Sequence, residues 1–230
     1  MHAPQLKRLL LERLRIPSSR VHVAPHIALH GASDSRGFQQ PEEDHTILFF
    51  GRIWPYKGLE YLIQAEPLIS ERVPQAKIVI AGTGEDCDRY RRMMVHPERF
   101  HFYNEYISDE KRAELFRQAS VVALPYIEAS QSGVIPLAYQ YEKPVIATTV
   151  GGLPSLVDHG QTGLLIPPRD KQSLADAAVL LLQNKGLRQR LGANAKRKLE
   201  TECAPNTVAR QTLLVYQEAV RASRDATKLG

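Results

Sequence analysis

Cysteine is nearly absent from this sequence: Cys87 and Cys203 stand far apart, and neither belongs to a Cys-x-x-Cys pair. This excludes a disulfide scaffold, and it fits free thiols in a reducing compartment. Long apolar runs are missing too. No window approaches the roughly eighteen uninterrupted apolar residues of a spanning helix. The N-terminus, MHAPQLKRLLLERLRIPSSR, alternates charge with leucine and offers no apolar block followed by a small-residue cleavage site. The chain therefore reads as soluble, unexported and cytoplasmic. Also absent are a complete Gly-x-Gly-x-x-Gly with its acidic partner, a Gly-x-x-x-x-Gly-Lys-Ser/Thr loop and a His-Glu-x-x-His pair. The usual motif-based routes to a dinucleotide, P-loop or zinc site are closed with them.

What is present is ordinary globular material: 230 residues, 43% hydrophobic and 24% charged, enough for one core or one core with an appendage. The net charge of +5 suits anionic ligands, nucleic acid or an acidic lipid surface. Much of the excess lies in the opening helix and in RQRLGANAKRK, residues 188–198. There Leu187, Leu191, Ala195 and Leu199 recur every four residues, so the bases are expected on the outer face of an amphipathic helix. Aromatic interleaving and RNA-binding signatures are missing, so a solvated helix face is the preferred reading and no nucleic-acid partner is expected.

From Thr46 onward, short β-branched or aromatic runs alternate with helix-period stretches. TILFFGRI, AKIVIAGTG, RFHFYNEYI, VVALPY, PVIATTV and TGLLIPP read as strands. Between them come helices over GLEYLIQAEPLISERV (with Leu59, Leu62 and Ile63 on one face and a kink expected at Pro67), DRYRRMMV, SDEKRAELFRQA, SQSGVIPLAYQY and a short one near LPSLVD. Three helices close the chain. Strands apolar on both faces, joined by helical crossovers, indicate a doubly wound α/β domain with a parallel sheet. It is expected over residues 46–222. Residues 1–30 offer one helix and one strand, RVHVAPHIALH; residues 31–45 read as a linker or hinge, and 223–230 as a tail.

In an open parallel sheet, ligands bind beyond the carboxyl ends of the strands. Four turns there are informative. In FFGRIWPYKG, Gly51 permits close approach, while Arg52 and Lys57 supply a forked cation and a point cation suited to a diphosphate; a plain basic loop is the alternative. In AGTGEDC, a tight turn explains Gly82 and Gly84, and Asp86 and Asp88 read as acids at a helix start and not as a manganese site. After VVALPY, the stretch Glu128–Gly133 places Ser130, Gln131, Ser132 and Gly133 before a helix, where unsatisfied amides can receive a phosphate or sugar hydroxyls; simple capping by Ser130 or Ser132 is the alternative. TTVGGLP repeats the logic with Gly151 and Gly152.

FFGRIWPYKGLEYLIQA, AGTGE, the stretch YISDEKRAELFRQASVVALPYIEASQSGVIPLAYQYEKPVIATTVGGLP and VDHGQTGLLIPPRD, taken in order, resemble the C-terminal nucleotide-sugar-binding domain of the retaining glycosyltransferases of family 4, often called group 1. The match covers about Thr46 to Val220, and LLLERLRIPSSRVHVAPHIALH resembles the end of that family's N-terminal domain. The resemblance implies the C-terminal half of a GT-B type transferase. Arg52 and Lys57 would hold the donor pyrophosphate, with Gly51 allowing its approach. Ser130, Gln131, Ser132, Gly133 and Val134 would contact the donor phosphate and sugar, with further donor contacts at Gly82, Gly84 and Ile107. Family members carry two glutamates eight positions apart around this loop. Here Ser130 and Ala138 occupy those positions, Glu128 stands two residues before the first as the sugar-facing acid, and Ser155 replaces another frequent glutamate.

The implied substrate is a UDP- or GDP-sugar, and no metal or other cofactor is implied. The acceptor and any general base would come from a preceding domain or subunit. A non-catalytic nucleotide-sugar-binding subunit or sensor is the alternative reading. Self-association and peripheral contact with the inner face of a membrane are further expectations.

Overall fold

In the computed structural model, which describes residues 4–23 and 42–228, six short strands form one parallel sheet. They are β1 (Thr46–Phe50), β2 (Lys77–Ala81), β3 (Phe100–Tyr103), β4 (Val121–Leu124), β5 (Val145–Thr148) and β6 (Gly163–Ile166). Their order across the sheet is β3-β2-β1-β4-β5-β6. The helices are α1 (Pro4–Leu14), α2 (Leu59–Ser70), α3 (Asp88–Arg91), α4 (Asp109–Gln118), α5 (Val134–Gln140), α6 (Lys171–Gln183), α7 (Lys185–Glu202) and α8 (Pro205–Lys228).

The two-residue period of a strand divides the core in two. Ile47 and Phe49 of β1, Val121 and Ala123 of β4 and Ile146 of β5 pack with Leu59, Leu62 and Ile63 of α2 and with Leu174 and Leu181 of α6. Their neighbours Leu48, Val122, Leu124, Val145 and Ala147 pack with Phe116 of α4, Ile135 of α5 and Leu199 of α7 on the other face. Both faces are covered, which is why these strands are apolar throughout. From β1 the chain crosses to β2 on one side, and from β4 to β5 on the other. The carboxyl ends of β1 and β4 therefore diverge at a topological switch point, where a crevice opens.

Several sequence expectations are refined. Ser108 caps α4, its Oγ accepting the Lys111 amide at 3.2 Å. The helix through Pro67 continues to Ser70. DRYRRMMV yields only the single turn of α3, and LPSLVD a 3-10 turn at Leu153–Ser155. In RVHVAPHIALH, residues 21–23 are non-regular and 24–30 lie outside the described residues, as do 31–41 of the expected linker.

Arg188 overturns the expectation that the bases of α7 all face water. It is 3% exposed. Its Nη1 donates to the carbonyls of Leu181 and Leu182 at 2.9 and 2.8 Å, closing the C-terminal end of α6, whose last carbonyls have no partner within the helix. Its Nη2 reaches Glu42 at 2.8 Å and Asp44 at 2.9 Å. Lys198 likewise turns to Asp158 at 2.7 Å. The four-residue apolar pattern reads one face of the helix but does not register that an adjacent arginine can be buried once its donors are matched.

Candidate functional site in the crevice between the β1 and β4 loops

The β1 loop is built by backbone pairing that outlasts the strands. Gly51 donates to Ala81 O at 2.9 Å, Ile53 to Thr83 O at 2.9 Å and Glu85 to Ile53 O at 2.9 Å. A Cβ on Gly82 would stand 1.9 Å from Gly51 O, and one on Gly84 2.0 Å from Ile53 O. Those glycines allow two loops to lie backbone to backbone. The chain then makes a 3-10 turn, Pro55–Lys57. Tyr56 O accepts the Ile127 amide at 2.8 Å, which fixes this turn against the loop that follows β4.

This stitching sets the position of Lys57. Its Nζ lies 3.7 Å from the centre of the Tyr126 ring and 5.3 Å from that of Tyr56. Burial, and secondarily the nearby Arg52 guanidinium, push the Lys57 ammonium down from its ordinary value to about 8. Arg52 is exposed, and among the described residues no carboxylate pairs with either cation. The opposite wall is the loop 129–133 leading into α5. Ser132, 4% exposed, accepts the Val134 amide at 3.2 Å and meets the Tyr126 hydroxyl at 3.3 Å. The Oε1 of Gln131 is buried without a hydrogen-bond partner. A Cβ on Gly133 would meet nothing within 4 Å. Behind this loop, Gly151 (φ 51°) lies so close that a Cβ there would stand 1.4 Å from Ala129 O.

Between the walls is a cleft of about 480 Å³. Gly51, Arg52, Lys57, Ser130, Gln131, Ser132, Gly133 and Val134, all expected from the sequence, line it. Phe50, Tyr56, Ala129 and Leu137 line it as well and were not anticipated. Glu128, Gly82, Gly84 and Ile107 are not on its walls. Glu128 is exposed, Gly82 and Gly84 serve the loop contact, and Ile107 packs on the second core cluster. Gly151 and Gly152 lead into the 3-10 turn and also lie off the cleft. Asp86 accepts the Asp88 amide at 2.9 Å and Asp88 pairs with Arg91 at 3.1 Å, so both acids act at the start of α3. Ala138 is fully buried in the core. Tyr126, which ends the buried run after β4, gave no sequence sign of a role because an aromatic there reads as core.

Residues 44–184 match the family described as glycosyl transferases group 1. The chain belongs to this family. It is 32% identical over 189 residues to a D-inositol 3-phosphate glycosyltransferase from Corynebacterium glutamicum, covering 78% of this chain and 45% of that protein. Among solved structures, the sucrose-phosphate synthase from Thermosynechococcus elongatus superposes with a TM-score of 0.76 at 25% identity, over 96% of this chain and 58% of that one. Anabaena HepE, solved in complex with UDP, gives a TM-score of 0.67 at 22% identity over 76% and 49% of the two chains, and shares the fold. This group 1 glycosyltransferase chain spans about half the length of the curated relatives it matches. Its sheet is the Rossmann-like sheet of GT-B enzymes, and no helix among its described residues is long and apolar enough to cross a membrane.

Proposed function

We propose that the cleft binds the diphosphate of a nucleoside diphosphate sugar and that the chain is the donor-binding half of a retaining glycosyltransferase. The observation that carries this reading is the convergence of Arg52 and Lys57, neither paired with a carboxylate among the described residues, at the β1/β4 switch point. When the glycosidic C–O bond breaks, its electron pair goes to the departing diphosphate while the sugar becomes oxocarbenium-like. Fixed cations aimed at that phosphate stabilise the developing charge. The acceptor oxygen then bonds to the sugar carbon and gives its proton to a general base. Acceptor and base are assigned to a domain or subunit outside these 230 residues. UDP is favoured over GDP because HepE, which shares the fold, is solved with UDP. Binding is proposed to need no divalent metal: Asp86 and Asp88 are already engaged at the start of α3, and Arg52 and Lys57 supply the positive charge.

Calorimetry tests this. UDP is expected to bind more tightly than UMP, with or without a chelator. Arg52→Ala and Lys57→Ala are each expected to weaken UDP by about tenfold or more, the size of one charge-assisted hydrogen bond. Variants that bind like the parent would remove the site. Ala138, buried at the position where the family resemblance implies the second glutamate, favours one second reading, a nucleotide-sugar-binding subunit without its own catalysis. A labelled-donor assay with an N-terminal domain from the same source separates the two: transfer appearing on mixing supports the enzyme, and donor binding without transfer supports the subunit.

A further inference from the structure

Tyr126 is 1% exposed, and its carbonyl is held by the Thr148 hydroxyl at 2.7 Å. The ring side of this residue carries Lys57 of the β1 loop, and its hydroxyl end carries Ser132 of the β4 loop. Among the described residues, Tyr126 thus joins the two walls by a cation–π contact on one side and a hydrogen bond on the other. On the proposed donor reading, we infer that Tyr126 is a positioning residue: its ring holds the Lys57 ammonium for the second phosphate, and its hydroxyl turns Ser132 into a donor toward the ligand.

The ring does something a carboxylate could not do. An acidic side chain under Lys57 would neutralise the ammonium and repel an incoming diphosphate. An aromatic face attracts the ammonium through its quadrupole and leaves the full charge available. The groups facing Lys57 are Arg52 and Tyr56 of its own loop and Tyr126 of the opposite one. Burial and then Arg52 disfavour the ammonium, and the nearer ring, that of Tyr126, attracts it.

The hydroxyl works through hydrogen-bond counting. Burial holds the Tyr126 phenol well above its ordinary value, so it keeps its proton. Either hydroxyl could donate in this contact, but Ser132 is the phenol's one hydrogen-bond partner among the described residues, so the buried O–H is satisfied only by donating, and Ser132 Oγ then accepts from both the phenol and the Val134 amide. A hydroxyl has two acceptor positions and one hydrogen. Both acceptor positions are then filled, and the remaining hydrogen is directed to whatever acceptor enters the cleft, a phosphate oxygen or a sugar hydroxyl.

The test measures UDP and UMP binding to the whole chain between pH 7 and about 9.5, with melting curves to confirm folding. Tyr126→Leu is expected to weaken UDP about tenfold, the scale of a cation–π contact to a half-buried ammonium, and to leave UMP much less affected. Its affinity for UDP is also expected to decline at lower pH than the parent's, because the neutral amine is favoured once the ring is gone. Tyr126→Phe keeps the ring, so its alkaline midpoint should match the parent's while UDP affinity falls several-fold. In the Tyr126→Phe background, Ser132→Ala should cost less than it does in the parent, and this cycle also serves if the leucine variant does not fold. A purely structural Tyr126 would lower UDP and UMP binding together and give additive effects with Ser132→Ala; either result overturns the inference. A parent chain whose UDP binding is absent, or is indifferent to Arg52→Ala, overturns the donor site itself and this inference with it. An Arg52-dependent parent with an unchanged UDP-to-UMP ratio and pH midpoint in Tyr126→Leu overturns only the role of Tyr126.

Discussion

Lys57 holds its charge where burial disfavours it. Its folded-state value of about 8 lies below the ordinary 10.5, so between these two values the unfolded chain carries the extra proton. Stability from this group therefore rises with pH across that window and is at its lowest below about 8. Water screens a half-buried ammonium, so the effect is discounted. Lys57→Met is expected to raise the melting temperature at pH 7 by roughly 2–4 °C, the shift of about 1 kcal/mol in a chain of this size. It should also flatten the alkaline rise and weaken UDP. Melting curves from pH 7 to 10.5 check this, and an unchanged or lower melting temperature at pH 7 contradicts it. A residue whose removal stabilises the fold is one retained for what it binds. At this scale the sequence was partly legible. Arg52 and Lys57 stand out as a basic pair in a loop after a strand, because charge is visible in letters. Tyr126 does not, because its role depends on which loop folds against its ring.

At the scale of elements, the short apolar runs foretold all six strands, though each strand ends before the stretch read for it does. Ile53 and Tyr126 stay buried beyond the strand ends because the loops are themselves packed. What letters did not disclose is which glycine keeps a loop in place and which keeps a cleft open. Gly151 belongs to the first kind. Gly151→Ala is expected to cost about 1–3 kcal/mol for its left-handed backbone, and more from the collision with Ala129, which would carry the β4 loop with it and weaken UDP. Gly133 belongs to the second kind: its φ of −73° suits any residue and a Cβ there faces open space. Gly133→Ala should leave stability unchanged or slightly raised and still reduce UDP affinity. Urea unfolding paired with calorimetry separates the two, and loss of stability in the Gly133 variant would contradict this division.

At the scale of the molecule, residues 42–44, just ahead of β1, are tied to the sheet by a partly buried knot of charges. Glu42 is met by Arg188, by Lys143 at 3.4 Å and by the Ser120 hydroxyl at 3.1 Å. Arg188 is buried while Glu42 is about a quarter exposed and keeps Lys143 and Ser120, so Arg188→Ala chiefly strips the Leu181 and Leu182 carbonyls of their donor and is expected to destabilise by about 1–3 kcal/mol. UDP affinity in the folded fraction should stay unchanged; denaturant titration with calorimetry reads both, and a shift below 1 kcal/mol would mean that water replaces the knot. The doubly wound class and strand succession were readable from alternation along the chain. The knot was not, because its members come from four places in the sequence.

Ser120 immediately precedes β4 and Lys143 lies two residues before the start of β5, so the knot sits at the amino ends of the strands, with the cleft at their carboxyl ends. A strand of four residues separates them by roughly 13 Å. A dye attached through Glu43→Cys, an exposed position at this end of the sheet, is therefore held about a strand's length from the cleft, and a nucleotide reaches Arg52 and Lys57 unobstructed by it.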